Sequence, residues 1–172
     1  RLMEFLAENG VDPSSGALPE RIERLRAILI PPLHGQTAAL ELLGALDDLT
    51  LERGSAGWVE KTPRHLRYLR FLEHLPLPGP RPRFVHIIRN GADVVKSLHQ
   101  ASRHWPRGYS VEECVRRWNR DMAISLRRAR GGRDEFVFYE ELVRRPEIVL
   151  QRLFESLRLP WEPGIVERYA EN

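Results

Sequence analysis

The chain has 172 residues, 42% of them hydrophobic and 30% charged, with a formal net charge of +3. That length buries roughly 70% of the unfolded surface in a single domain, and that mixture excludes wholesale disorder. Cys114 is the only cysteine, which excludes an internal disulfide and a multi-cysteine metal site, and no apolar run approaches the roughly 20 residues of a membrane span.

In chain order, the first fifty residues read as short amphipathic helices. "RLMEFLAENG" ends on a glycine suited to close a helix, and "LPERIERLRAILIPP" puts Leu18, Ile22, Leu25 and Leu29 on one stripe before Pro31. "TAALELLGALDDL" repeats the pattern through Leu40, Leu43 and Leu46, and the neighbouring Asp47 and Asp48 read as solvated. Residues 1–54 are thus expected to form a helical subdomain packing on a core of residues 55–172.

From there strand and helix alternate. "GWVEK" reads as a short strand, "PRHLRYLRFLEHL" as a helix, "RFVHIIR" as a buried strand and "ADVVKSLHQAS" as a helix. This order predicts an α/β fold with parallel strands joined by right-handed crossovers. After the loop "RHWPRGY", Ser110 and Glu113 predict a capping box for a long helix. Its apolar stripe is expected at Val111, Val115, Trp118, Met122 and Ala129, with Gly131 and Gly132 at its end. "EFVFYE" reads as another buried strand and "RPEIVLQRLFESL" as the final helix, with Pro146 near its start. The arginines of "RRWNRDMAISLRRARGGR" read as a solvated helix face. Nucleic acid is not an expected partner, because no aromatic residues interleave with the basic ones.

Lys61 and Lys96 are the only lysines among 27 Lys and Arg residues. Lys61 stands where Thr62 and Pro63 predict a helix start, a place that favours an acid over a cation. In parallel α/β sheets ligands gather beyond the carboxyl ends of strands. Lys61 is expected to end the first strand and Arg89 the second. Asn90-Gly91 then turns into a helix carrying Ser97 about one turn in. A guanidinium, a hydroxyl and free helix amides together make a phosphate site. The competing arrangement pairs Arg89 with Asp93 and returns the Ser97 hydroxyl to the Asp93 carbonyl.

"FVHIIRNGADVVKSL" resembles the 3′-phosphate-binding segment of sulfotransferases that use PAPS (3′-phosphoadenosine 5′-phosphosulfate), where a strand ends in Arg and a Ser follows eight residues later. "WVEKTPRHLRYL" resembles the segment preceding it in bacterial, protein-tyrosine and heparan sulfotransferases. "FVFYEELVRRPEIVLQRLFESLRLPW" resembles their later stretch, so three ordered segments cover roughly residues 57 to 161. The resemblance implies a P-loop-like parallel sheet flanked by helices and PAPS as co-substrate without a metal. It implies that Arg89 and Ser97 hold the 3′-phosphate and that Tyr139 approaches the nucleotide; as a buried aromatic on a strand, Tyr139 reads equally as core. Lys61 would stabilise charge on the sulfuryl group during in-line transfer to a hydroxyl of a small molecule, sugar or peptide.

The family's first strand leads into a glycine-rich phosphosulfate loop, and no matching string occurs in these 172 residues. The expectation is a chain lacking the N-terminal part of the fold, either as a piece of a longer protein or through loss of half a nucleotide site. Glu60, His34, His65 and His104 are candidate bases, and none is chosen among them. The alternative to an enzyme is a relative that binds an anionic nucleotide without turnover; a nucleotide kinase is disfavoured because the Walker lysine is missing. A cytoplasmic location is expected from the single cysteine and the lack of a visible signal peptide.

Overall fold

The computed structural model describes Glu20 and residues 35–62, 65–77 and 81–170. The helices expected in "RLMEFLAENG" and "LPERIERLRAILIPP" lie outside these residues, save Glu20, as do His34 and Pro63. The chain divides into two compact units, one running to His65 and taking in Arg70–Arg81, the other comprising Leu66–Leu69 and Pro82 onward.

In the first unit, helix α1 (Gly35–Glu52) contains the expected leucine pattern. Ala45 on this helix is buried, and Leu40, Leu43 and Leu46 are half-buried. Asp47 is not simply solvated, because its Oδ1 accepts the Trp58 indole N–H at 2.8 Å and ties the following segment to the helix. The helix expected over 63–75 is broken into a 3₁₀ turn (His65–Arg67) and a short α2 (Leu69–Glu73). His, Tyr and Phe have only middling helix propensity, and Pro76, lacking an N–H, prevents α2 from extending.

The second unit is an α/β arrangement. Strand β1 (Val85–Ile88) leads through α3 (Gly91–Ser102) and α4 (Val111–Ala129) to β2 (Glu135–Phe138), followed by α5 (Tyr139–Arg144), α6 (Pro146–Leu157) and α7 (Ile165–Ala170). The two strands pair in parallel with Val85 opposite Glu135 and Ile88 opposite Phe138, as the alternation of strand and helix predicts. Among the described residues β1 and β2 form a two-stranded sheet. The strand expected at "GWVEK" is absent, and residues 57–62 have no regular structure. A strand exists only through ladder hydrogen bonds, and no described segment supplies them to that stretch.

Helices α3 and α4 pack closely where glycine is required. A Cβ on Gly91 would lie 2.7 Å from the Trp118 ring, so the first residue of α3 has no room for one. Between them, the buried Ser102 hydroxyl donates to the His99 carbonyl and accepts the Tyr109 N–H, both at 2.9 Å, closing the "RHWPRGY" loop. The expected Ser110–Glu113 capping box starts α4. Its buried face is turned from the expected stripe: Cys114 and Ser125 are buried, while Val111 and Val115 are exposed. The face is set by a polar contact that an apolar pattern does not register.

That contact is the centre of the second unit. His86 on β1 is buried, its Nδ1 3.0 Å from the Ser125 hydroxyl and its Nε2 2.9 Å from Asp134 Oδ2. Asp134 also accepts two hydrogen bonds from the Arg128 guanidinium, at 2.5 and 2.6 Å, and the Phe136 ring stacks on His86. Burial pushes the Asp134 carboxyl up, but the hydrogen bonds from Arg128 and His86 and their charges outweigh it and hold it below its ordinary value of 3.8. With Ser125, His86 and Asp134 all shielded, the arrangement joins β1, α4 and the start of β2 rather than presenting a nucleophile.

Gly132, at a φ of +64°, follows the end of α4. Pro146 opens α6, as expected from its position. That helix closes with the N–H of Leu159 on the Phe154 carbonyl and Arg158 in the left-handed region at a φ of +58°. Helix α7 is an addition to the elements expected from the sequence; it follows Gly164 at a φ of +80°. No described helix is long and apolar enough to cross a membrane.

Candidate functional site

Because β1 and β2 run in parallel, the residues that follow them emerge at the same end of the sheet. Arg89 follows Ile88 as Tyr139 follows Phe138, the partners at the end of the register. The Arg89 guanidinium carbon lies 4.8 Å from the centroid of the Tyr139 ring, within cation–π range. Tyr139 is the first residue of α5 and 39% exposed, rather than the buried strand residue expected from its surroundings in sequence.

The turn after Arg89 is fixed by Asn90. Its side-chain oxygen accepts the N–H groups of Ala92 at 2.9 Å and Asp93 at 3.4 Å, which caps α3. Two of the helix amides expected to be free are therefore occupied by the protein itself. The Asn90 N–H donates to Glu140 Oε1 at 2.7 Å, so the segment after β2 grips the segment after β1 a second time. That hydrogen bond and one from its own N–H hold the Glu140 carboxyl below its ordinary range, with the Arg89 and Arg144 charges adding to the effect.

Arg89 and Ser97 are both exposed, and neither the guanidinium nor the hydroxyl makes a hydrogen bond or ion pair with a described residue. The competing arrangement with Asp93 is not formed. Since α3 begins at Gly91, Ser97 is its seventh residue, about 9 Å along the axis at 1.5 Å per residue. The side chains left available to an anion here are thus a guanidinium at the strand end and a hydroxyl farther along the helix.

Lys61 is exposed, without regular structure, and belongs to the first unit, whereas Arg89, Ser97 and Tyr139 belong to the second. Beside it, Glu60 accepts the Thr62 hydroxyl at 2.5 Å and lies 2.6 Å from His65 Nδ1. Glu60 and His65, two of the four candidate bases, therefore hold each other. His104 is exposed in the turn after α3.

Asn90 and Glu140 are site residues that the sequence pattern does not single out. Asn-Gly reads first as a turn, although Asn before a helical run is also a capping signal. Nothing in the sequence pairs Glu140 with Asn90, because the partnership depends on the parallel register.

Residues 34–163 match the model of a family described as the sulfotransferase family. An uncharacterized protein of Aquifex aeolicus (strain VF5) is 27% identical over 121 residues, which take in 64% of this chain. The match spans 15% of that relative's length. No solved structure matches the chain.

Proposed function

This chain belongs to the sulfotransferase family, and from that premise we propose that it serves the transfer of a sulfuryl group from PAPS to an acceptor hydroxyl on a P-loop-like α/β scaffold. The observation that carries the reading is Arg89: an exposed guanidinium at the carboxyl end of a parallel strand, without a hydrogen-bond or ion-pair partner among the described residues. Arg89 and Ser97 bind the 3′-phosphate of the nucleotide, the guanidinium through paired N–H donors and the serine through its hydroxyl. The Tyr139 ring holds Arg89 in place for that contact.

In the transfer itself, the acceptor oxygen bonds to sulfur as the bond from sulfur to the bridging oxygen breaks. Negative charge then grows on the departing 5′-phosphate, and the Lys61 ammonium stabilises it. The proton of the acceptor hydroxyl passes to a general base. The acceptor class is a small molecule, sugar or peptide, and the cytoplasmic setting is inferred from the lone cysteine.

Calorimetry with adenosine 3′,5′-bisphosphate on the full gene product tests the site. Arg89→Ala is expected to weaken binding by tenfold or more, the scale of a lost charge-assisted contact. Wild-type affinity in that variant would remove the 3′-phosphate assignment.

A further inference from the structure

We propose that Glu140 is a positioning residue for Arg89: its carboxylate fixes the Arg89–Asn90 peptide, so that the strand end presents the guanidinium in one orientation. The inference rests on the anion-binding role given to Arg89 above. The strand register and two contacts converge on it. The strand register runs with a constant offset from Val85–Glu135 to Ile88–Phe138, which carried onward sets Arg89 beside Tyr139 and Asn90 beside Glu140. At the first of these positions the Tyr139 ring holds the Arg89 head, and at the second the Glu140 carboxylate accepts the Asn90 N–H at 2.7 Å. That N–H belongs to the same peptide plane as the Arg89 carbonyl, so the hydrogen bond restricts the backbone rotation that would swing the arginine away.

Asn90 transmits the restraint in the other direction. Its side-chain oxygen binds the amides of Ala92 and Asp93, so the residue held by Glu140 also starts α3, the helix that carries Ser97. A carboxylate near an anion site is unfavourable by charge alone, and the Arg89 and Arg144 charges face Glu140. Those charges favour the ionised carboxylate, and its geometric role is the hydrogen bond it accepts from the Asn90 N–H.

The two roles separate on substitution. Glu140→Gln keeps an oxygen that can accept the Asn90 N–H and removes the negative charge, whereas Glu140→Ala removes both. We expect Glu140→Ala to bind adenosine 3′,5′-bisphosphate about tenfold more weakly, as for loss of one charge-assisted hydrogen bond. Glu140→Gln should stay within about threefold of wild type. Hydrogen exchange at the Asn90 amide supplies a readout independent of the nucleotide, and it should accelerate in Glu140→Ala and be restored in Glu140→Gln. An unchanged Asn90 exchange rate in Glu140→Ala, or equal loss of binding in both variants, would overturn the positioning role. Wild-type nucleotide binding by Arg89→Ala would instead overturn the anion site while leaving the Asn90 exchange result intact.

Discussion

At the scale of single residues, the second unit is governed by an ionic group in its interior. Asp134 accepts from Arg128 and His86 while almost fully shielded. Removing one partner of such a pair leaves the others uncompensated, so Asp134→Asn should destabilise the fold by about 3 kcal/mol near neutral pH. The sign of the pH effect follows from the lowered carboxyl value: the stabilisation is present above the ordinary 3.8 and is lost as pH falls through the lower folded value. Urea unfolding between about pH 6 and pH 2 should therefore show the gap between wild type and variant closing with acid. A gap constant across that range would contradict the assignment. Neither His86 nor Ser125 stands out in the sequence, since a histidine within "FVHII" and a serine within "MAISL" interrupt apolar runs without announcing each other.

At the scale of elements, the sequence is most informative where a local rule suffices. The Ser110–Glu113 box, the closing Gly131 and Gly132 and Pro146 at the head of α6 need only their nearest neighbours to be read. The buried face of α4 departs from the apolar stripe because it is chosen by His86, 39 residues away from Ser125. The strand expected at "GWVEK" fails for the same physical reason, in that a strand needs a partner and its own residues do not supply one. Packing of α3 on α4 offers a direct test. Gly91→Ala drives a methyl into the Trp118 ring and should cost about 1–3 kcal/mol, measured as a lowered thermal midpoint. In a Trp118→Leu background the same Gly91→Ala change should cost less, because the obstructing ring is gone.

At the scale of the whole molecule, the candidate residues fall in different compact units, Lys61 in one and Arg89, Ser97 and Tyr139 in the other. The three ordered segments that resemble sulfotransferases cross that division. Each is continuous along the chain, so their joint occurrence is legible in the sequence whichever unit a given residue joins. Their roles separate kinetically. Lys61→Ala in the full gene product should lower kcat by about a hundredfold or more with a small change in nucleotide affinity, because its contact belongs to the transition state. A parallel loss in kcat and affinity would make it a binding residue instead. Arginine dominates the charge of the chain, and several of its arginines are committed to carboxylates, among them Arg67 to Asp121, Arg83 to Glu135 and Arg107 to Glu113. Arg89 is restrained differently, by the Tyr139 ring. An aromatic ring touches a guanidinium on its flat side, whereas the N–H groups point outward in the plane. A carboxylate restraint would occupy that outward rim and have to be displaced by an incoming phosphate. The ring steadies the arginine and leaves the whole rim open.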